Sequence, residues 1–226
     1  MRAGPLRGVV VAITVTPAAG TPLHAGCERG VGYGHAMGDG GSTVDRLAPP
    51  EPPLGDDVLR LVPLEEQHAA PMRDLGDDAD VARFTWVRAP LTDESARAWV
   101  DRYVAGWEDG TLGGFAIEGR DDGAFLGFAA LVRFDPEGRE TELGYIVAPV
   151  DRGRGVALRA IGLLTEWCLD GLGLARVELR IDVVNGPSLG VAERLGFVRE
   201  GVLRSMHFKD GRRTDLAVYS RLPSDP

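Results

Sequence analysis

The stretch that most constrains the fold of this chain runs from Ile146 to Leu169 and reads "IVAPVDRGRGVALRAIGLLTEWCL". An apolar strand pattern enters Arg152–Gly155, which holds two arginines and two glycines, and a long apolar helix pattern follows. Glycines between a strand and a helix allow a tight turn and leave backbone N–H groups unshielded. Because a helix start offers free donors and a partial positive charge, the pattern favours a phosphate or pyrophosphate site. The alternative is a plain helix start with solvated arginines.

Two common nucleotide motifs fit this stretch poorly. A P-loop requires G-x-x-x-x-G-K-[ST], which the sequence does not contain. A dinucleotide fingerprint requires a third glycine where Leu158 stands, and it follows the first strand of a domain rather than the fourth. An NAD- or ATP-binding enzyme of doubly wound type is therefore the weaker alternative.

The charge and the composition exclude several classes of function. The formal net charge is −9, which repels nucleic-acid phosphates and favours a cationic partner. No apolar run reaches the roughly 18 residues of a membrane span, so we expect no membrane partner. Cys27 and Cys168 cannot build a disulfide framework, which fits a cytoplasmic protein. The four histidines offer no metal spacing, so we expect no metal, and we expect Cys168 in the core.

The composition divides the chain at residue 55. Residues 1–54 are rich in glycine and proline and are predicted to be a disordered tail, whereas residues 55–226 form the predicted domain. A lipoprotein signal ending at Cys27 is the competing interpretation of the tail. Translation from Met37 is a third one.

Periodicity predicts the element order β-α-α-β-β-β-α-β-α-β-β in the domain. The first strand is expected at Asp57–Leu64, and Thr92 is expected to cap a helix with one broad apolar face. Val81–Pro90 is expected to be a loop that carries aromatic residues. A final hairpin is expected to turn at Lys209–Gly211.

Several motifs in the right order give a resemblance to a known family. Arg152-Gly-Arg-Gly155-Val-Ala157 matches the R/Q-x-x-G-x-A/G signature of the GNAT N-acetyltransferases. "ELGYIVAP" before it and "RIDVVNGPSLGVAERLGFVREGVLR" after it resemble the ribosomal-protein-alanine N-acetyltransferase-like (RimJ/RimL-like) branch. The resemblance covers roughly residues 56–223. It implies an α/β (α+β) fold with a mixed, mostly antiparallel central sheet, splayed between the fourth and fifth strands, and helices on both faces.

The resemblance also implies acetyl-CoA as the co-substrate, held in the gap between the splayed strands. The glycine-arginine loop would cradle the pyrophosphate through its N–H groups, and the end of the fourth strand would pair with the pantetheine like a missing strand. A backbone N–H there could polarise the thioester carbonyl. The residues that the resemblance assigns to acetyl-CoA are Ile146, Val147, Arg152, Gly153, Arg154, Gly155, Val156, Ala157, Asn185 and Ser188.

The implied reaction is direct attack of a neutral amine on the thioester in a ternary complex. An amine begins with a pKa of about 8 to 10.4, so a base is useful, and Glu142 is the candidate. A water chain, or a purely structural strand-end role for Glu142, stays open. Ala192 stands where many family members have a tyrosine acid, and the branch places Ser188 near the CoA sulfur. Asn185 and Ser188 could instead cap a helix.

The acceptor is expected to be a primary amine, either a protein N-terminus or a small cationic molecule. Four aromatic or imidazole side chains are its possible walls: Phe84, Trp86, Tyr145 and His207. A non-catalytic acyl-CoA sensor is the alternative function, although such a protein would not need both Glu142 and Ser188. Because the family is often dimeric, a homodimer is a further expectation.

Overall fold

The structure is a computed structural model that describes residues 11–12 and 44–226. Its centre is one mixed sheet in the order β2-β3-β4-β5-β6-β8-β7, and β1 pairs with β5. The strands are β1 (Val11–Ala12), β2 (Leu59–Pro63), β3 (Gly113–Gly119), β4 (Phe125–Asp135), β5 (Glu140–Val147), β6 (Arg176–Asp182), β7 (Val198–Lys209) and β8 (Arg212–Arg221). The α-helices are α1 (Ala69–Leu75), α2 (Ala79–Phe84), α3 (Asp93–Asp109), α4 (Val156–Glu166) and α5 (Gly186–Arg194).

Alternation along the strands builds one hydrophobic core on each face of the sheet. On β4, Ala129 and Leu131 face the core that contains α4, while Phe128 and Ala130 face the core beneath α1 and α3. The strand pairs within this sheet are antiparallel except β5 with β6, which run parallel. The predicted fold class is confirmed, with β5 and β6 as the splayed pair that the sequence counted as fourth and fifth.

Helix α3 begins at the cap that the sequence predicts. The Thr92 side chain accepts a hydrogen bond from the Ser95 N–H at 3.2 Å, which satisfies one of the free donors of the first turn. Its buried face includes Val100 and Tyr103, and the helix ends at Gly110 with a φ of 71°. A left-handed residue at this position is the common way to stop a helix.

The prediction of a loop over Val81–Pro90 is wrong at its start. Helix α2 spans Ala79–Phe84, and Asp78 caps it by accepting from the N–H groups of Asp80 and Val81. The helix has only six residues and buries only Val81, so no apolar period marks it in the sequence. Asp78 was the one available signal, since aspartate is a favoured cap.

Part of the segment assigned to the tail packs against the domain. Leu47 is 2% exposed, and its N–H donates to the Gly110 carbonyl at 3.0 Å. The packed region therefore begins before the predicted boundary at residue 55. The interpretations that concern Cys27 and Met37 lie outside the described residues.

The described residues bear on three expectations, which concern a membrane span, a metal site and the place of Cys168. No helix in 44–226 is long and apolar enough to cross a membrane. No group of three or more histidine, cysteine or acidic side chains among the described residues could hold a metal ion. Cys168 is fully buried in the core next to α4, and burial raises the pKa of its thiol. A thiol in this state is a packing group, not a nucleophile.

Candidate acetyl-transfer site

The sheet opens between β5 and β6. The two strands pair only at Glu140–Glu142 with Arg176–Glu178. Beyond this point β5 continues along β4 as far as Val147, while β6 continues along β8 as far as Asp182. The second half of β5 therefore has no β6 partner, which leaves an edge that another chain-like group can pair with. In the structure, β1 pairs at Tyr145 and Ile146.

The glycine-arginine loop closes one end of this opening. Gly153 and Gly155 have φ values of 75° and 83°, which L-residues with a side chain rarely adopt. Gly155 is the N-cap of α4, and no side chain of the described residues caps that helix start. Val156 and Ala157 are buried and fix the first turn to the core. The free donors of α4 are therefore held rigidly at the opening.

A small cavity of about 320 Å³ lies at this helix start. The end of β5, the glycine loop and the first turn of α4 form one side of it. Pro187, Val191 and Arg194 of α5 form the other side. Backbone donors, a helix terminus and one exposed arginine together suit an anionic group.

The two arginines of the loop are engaged with protein groups. The Arg152 side chain is 6% exposed and donates to Asp78 through two nitrogens, at 2.9 and 3.2 Å. Its Nε also donates to the Val147 carbonyl at 3.1 Å. Arg154 pairs with Asp151 at 2.7 Å. Both guanidinium charges are therefore largely compensated inside the protein, and the backbone N–H groups are the principal donors of the loop.

Asp78 joins the loop to α2. It caps that helix through Asp80 and Val81 and accepts both bonds from Arg152. Burial pushes the pKa of Asp78 up, but the bonds from Arg152 and from the helix N–H groups outweigh it, so the pKa lies below its ordinary value. The carboxylate is thus ionised across the neutral range.

Asn185 and Ser188 meet at the start of α5. Asn185 caps this helix, and its side chain accepts from the Ser188 N–H at 3.4 Å. Both residues are buried, at 1% and 0% exposed. The Tyr145 hydroxyl lies in the same buried region; burial raises the pKa of this phenol, while its interaction with the Ser188 side chain acts in the opposite direction. The capping interpretation is confirmed for Asn185, and this cap uses the backbone N–H of Ser188 rather than its hydroxyl.

Glu142 lies at the last paired position before the strands part, opposite Glu178 on β6. It is 2% exposed, and its Oε2 is 3.5 Å from the Arg180 Nε. It is absent from the lining of the small cavity and of the large cavity described next. A base in this position would act on an amine through intervening groups or water rather than by direct contact.

A large cavity of about 850 Å³ opens beyond the end of β6. Its walls come from α2, from the Asp182–Val184 end of β6 and from the β7–β8 hairpin. Val184 lines this cavity and Pro187 lines the small one, so the two cavities flank the same short turn. The arrangement places a candidate acceptor space next to a candidate donor space.

The four predicted acceptor walls are not all brought together. His207 lines the large cavity. The Trp86 ring contacts His207 edge-on at 4.4 Å, but Trp86 lines a separate cleft of about 380 Å³ with Trp99. Phe84 packs beneath Arg83, whose guanidinium carbon is 4.8 Å from the ring centre. Tyr145 is buried next to Ser188 and does not line the large cavity.

His207 is a buried imidazole in the wall of the large cavity. It is 6% exposed, and its Nε2 has no hydrogen-bond partner among the described residues. Burial lowers the pKa of His207, the Lys209 ammonium lowers it further, and Asp182 opposes the shift. The imidazole is therefore neutral at pH 7 and retains a lone pair.

Lys209 is a residue of the site that the sequence analysis did not select. Its ammonium donates to the carbonyl oxygens of Ala82, Thr85 and Val87, at the end of α2. Burial lowers the pKa of Lys209, Arg88 adds to the shift, and Asp210 opposes it. The only sequence signal at Lys209 was its place in the predicted turn. Its contacts could not be predicted, because the carbonyls that it binds lie more than a hundred residues earlier in the chain.

Comparison with known proteins decides the family. Residues 59–198 match the model of the family described as the acetyltransferase (GNAT) domain. The chain belongs to the GNAT family. The match covers more than half of the chain and includes the opening between β5 and β6, the glycine loop and the start of α5. This GNAT protein is therefore an acyltransferase.

Curated relatives of this GNAT chain include two with named acceptors. The chain is 29% identical over 154 residues to the spermidine N(1)-acetyltransferase of Escherichia coli, covering 68% of this chain and 80% of that protein. It is 26% identical over 171 residues to the ribosomal-protein-serine acetyltransferase of Escherichia coli, covering 73% and 92%. With YdaF of Bacillus subtilis it shares 35% identity over 101 residues, 45% of this chain and only 55% of that protein.

A solved structure confirms the fold of this GNAT chain. RimL, described as a ribosomal L7/L12 alpha-N-protein acetyltransferase in complex with coenzyme A, superposes with a TM-score of 0.69 at 19% identity. The match covers 74% of this chain and 95% of RimL. Together with the ribosomal-protein-serine relative, it confirms the predicted resemblance to the RimJ/RimL-like branch.

Proposed function

We propose that this protein transfers the acetyl group of acetyl-CoA to a primary amine by direct attack in a ternary complex. The observation that carries the proposal is the uncapped start of α4 behind Gly153 and Gly155, at the opening between β5 and β6. Free N–H donors at a helix terminus suit a pyrophosphate, and the part of β5 that has no β6 partner suits the amides of a pantetheine arm, which would pair there in place of β1. These two features occur side by side here.

The residues of the loop fit the proposed co-substrate. Among the residues that the structure describes, no atom would lie within 4 Å of a Cβ at Gly153 or Gly155, so the glycines leave the space above the loop open. Because Arg152 and Arg154 are paired with carboxylates, the N–H groups from Arg152 to Ala157 would make the principal contacts with the phosphates. Ile146 and Val147 would pair with the pantetheine, and Asn185 would contact it from α5. Acetyl-CoA supplies the thioester that the amine attacks.

In the proposed reaction, a neutral amine forms a bond to the thioester carbonyl carbon and the carbon–sulfur bond then breaks. The amine nitrogen loses a proton, for which Glu142 serves as the base through water, since it does not line the large cavity. The departing thiolate gains a proton, for which the Ser188 hydroxyl is the donor. Ala192 is buried in the core and cannot supply that proton.

The relatives support an amine acceptor without choosing one. One relative is named for spermidine and another for a serine of a ribosomal protein. A protein N-terminus and a small amine are both primary amines that attack a thioester in the same way. The large cavity beside the opening is the proposed acceptor space.

Calorimetric titration of acetyl-CoA into the full chain, with ATP and NAD as controls, tests the co-substrate. Micromolar binding of acetyl-CoA alone, followed by amine-dependent release of free CoA thiol, is the expected result. Binding without thiol release for any amine would favour an acyl-CoA sensor. A matched pair of variants sharpens the test: Gly155→Ala forces a φ of 83° on alanine and should weaken binding about tenfold, whereas Gly201→Ala, at an open position without positive φ, should not.

Two further expectations stay predictions. We propose a cytoplasmic location, which cell fractionation would check, and a homodimer, which light scattering of the purified protein would check. A membrane-associated fraction or a monomer would contradict the respective proposal.

A further inference from the structure

The charges around the large cavity differ from the charge of the whole chain. The chain carries a formal charge of −9, but four basic residues line this cavity against three aspartates. The basic residues are Arg83, Lys209, Arg212 and Arg213, and the aspartates are Asp182, Asp210 and Asp215. The formal charge of the cavity lining is therefore +1 with His207 neutral.

In the described part of the chain, the basic side chains of this cavity have no direct carboxylate partner. Among the described residues, none of the four forms an ion pair within 4 Å with a carboxylate. Lys209 donates to carbonyl oxygens, and Arg213 donates to the Ser205 carbonyl at 2.7 Å. Arg83 and Arg212 are exposed at the rim. Rim cations of this kind attract an anionic group on a ligand.

Two of the three aspartates are occupied by backbone donors. Asp182 accepts from the Val184 N–H at 3.0 Å, and Asp215 accepts from the Ser205 N–H at 2.7 Å. Asp182 is 5% exposed, so it lies in the wall rather than at the rim. The buried part of the cavity thus holds Asp182 and the neutral His207, whose Nε2 has no partner among the described residues.

We infer that the large cavity selects primary amines that carry negatively charged groups close to the amine, as in the N-terminus of an acidic peptide. The inference rests on the proposed function and narrows its acceptor. The amine would lie at the buried end with Asp182 and His207, and the anionic groups would lie at the rim with Arg83 and Arg212. A polyamine, which brings only further positive charge, fits this rim poorly.

The test compares acceptors with the full-length enzyme, using release of free CoA thiol. The probes are short peptides that begin with serine and continue with three glutamates, three alanines or three lysines, together with spermidine. The glutamate peptide should have a kcat/KM about tenfold above that of the lysine peptide at low salt, and the ratio should shrink as salt screens the rim. Spermidine should have a kcat/KM as low as that of the lysine peptide.

Variants locate the preference. Arg83→Gln/Arg212→Gln should lower kcat/KM for the glutamate peptide about fivefold, mainly through KM, and should lower it less for the alanine peptide, so that the preference for the glutamate peptide shrinks. Arg199→Gln/Arg204→Gln removes the same charge from exposed positions on β7 outside the cavity and should leave both peptides unchanged. Circular dichroism of both variants checks that they fold.

The outcomes separate this inference from the proposed function. Equal activity with glutamate and lysine peptides, a preference for spermidine, or the same loss in both double variants would overturn the inference while acetyl transfer stands. Failure to bind acetyl-CoA, or binding without thiol release for any probe, would overturn the proposed function as well.

Discussion

At the scale of single residues, Ser188 offers a clean separation of two roles. The cap of α5 uses its backbone N–H, which alanine keeps, whereas the proposed proton donor is its hydroxyl. Ser188→Ala should therefore bind acetyl-CoA as before and lose turnover about a hundredfold, a typical value for a general acid. Calorimetry and thiol release measure the two effects. Ser224→Ala, at an exposed position, is the matched control. Unchanged turnover would leave Ser188 with the cap alone.

Glu142 is tested by the pH dependence of turnover. Glu142→Gln should slow the reaction strongly near pH 7, where an amine with a pKa of about 8 to 10.4 is mostly protonated. The deficit should shrink at high pH, because the amine then needs no base. Glu140→Gln on the same strand, at a half-buried position paired with Arg133, is the control. Equal rates of the mutant and the wild type at both pH values would exclude this role.

At these single positions, the sequence predicted local backbone conformation and capping better than it predicted contacts between distant residues. The glycines and the Asn185 cap follow from local spacing, since backbone conformation and capping involve near neighbours. The pairing of Arg152 with Asp78 does not, because the two residues are 74 positions apart. The burial of Tyr145 beside Ser188, rather than at an acceptor wall, likewise depends on which face of β5 meets α5.

At the scale of elements, the Arg152–Asp78 pair connects the loop before α4 to the cap of α2. Arg152→Met should lower the free energy of unfolding by about 2–4 kcal/mol, because it leaves a largely buried carboxylate without its partner. Urea unfolding measures this change. Arg73→Met breaks an exposed pair with Asp74 and Asp93 and should change the stability far less than Arg152→Met does, because solvent screens an exposed pair.

A double-mutant cycle checks that the loss belongs to the pair. Asp78→Asn/Arg152→Met should be less destabilising than the sum of the two single changes, since neither partner is then left charged and alone. Additive effects would show that the two side chains stabilise the fold independently.

Among the elements, the long ones were predictable and the short one was not. α3 and α4 show an apolar period over several turns, and the strands of the sheet alternate or run apolar. α2 has six residues and one buried side chain, so its helical form depends on Asp78, Arg152 and Lys209 rather than on its own pattern. Of the four acceptor walls predicted from the sequence, only His207 lines the large cavity, and the wall that α2 forms was not predicted because this helix has no apolar period.

At the scale of the whole molecule, ion-paired carboxylates determine the behaviour in acid. Hydrogen bonds from Arg176 lower the pKa of Glu200 to about 2, and the pKa values of Asp78 and Glu178 also lie below their ordinary values. Their folded pKa values are below the unfolded ones, so their contribution is present above about pH 4.5 and is lost as the pH falls towards 2. Unfolding at pH 7, 4.5 and 3 should show this decline.

Glu200→Gln isolates one contribution to that decline. The Glu200 side chain is 41% exposed, so solvent screening reduces its share to about 1 kcal/mol or less. The variant should lose part of its stability at pH 7 and approach the wild type at pH 3. A variant with the same pH slope as the wild type would contradict the assignment. Glu66→Gln, at an exposed helix start without an ion pair among the described residues, serves as the control.

The whole-molecule charge was a poor guide to the site. A net charge of −9 favoured a cationic acceptor, yet the large cavity has a positive local balance. The fold class and the family followed from several motifs that occur in a fixed order along the chain. A series of motifs in one order is specific to a family, whereas a net charge is not. The charge of one cavity depends on a few residues from α2, β6 and the final hairpin, which only the folded arrangement brings together.

Arg152 belongs to the wall of the small cavity, and its partner Asp78 directly precedes a wall of the large one. A ligand in the small cavity that shifted Arg152 would also shift the cap of α2, and thermodynamic linkage would make such an effect reciprocal. If the first substrate changes the affinity for the second by some factor, the second must change the affinity for the first by the same factor. The two ligands would then communicate through one guanidinium, and its removal would make their binding events independent.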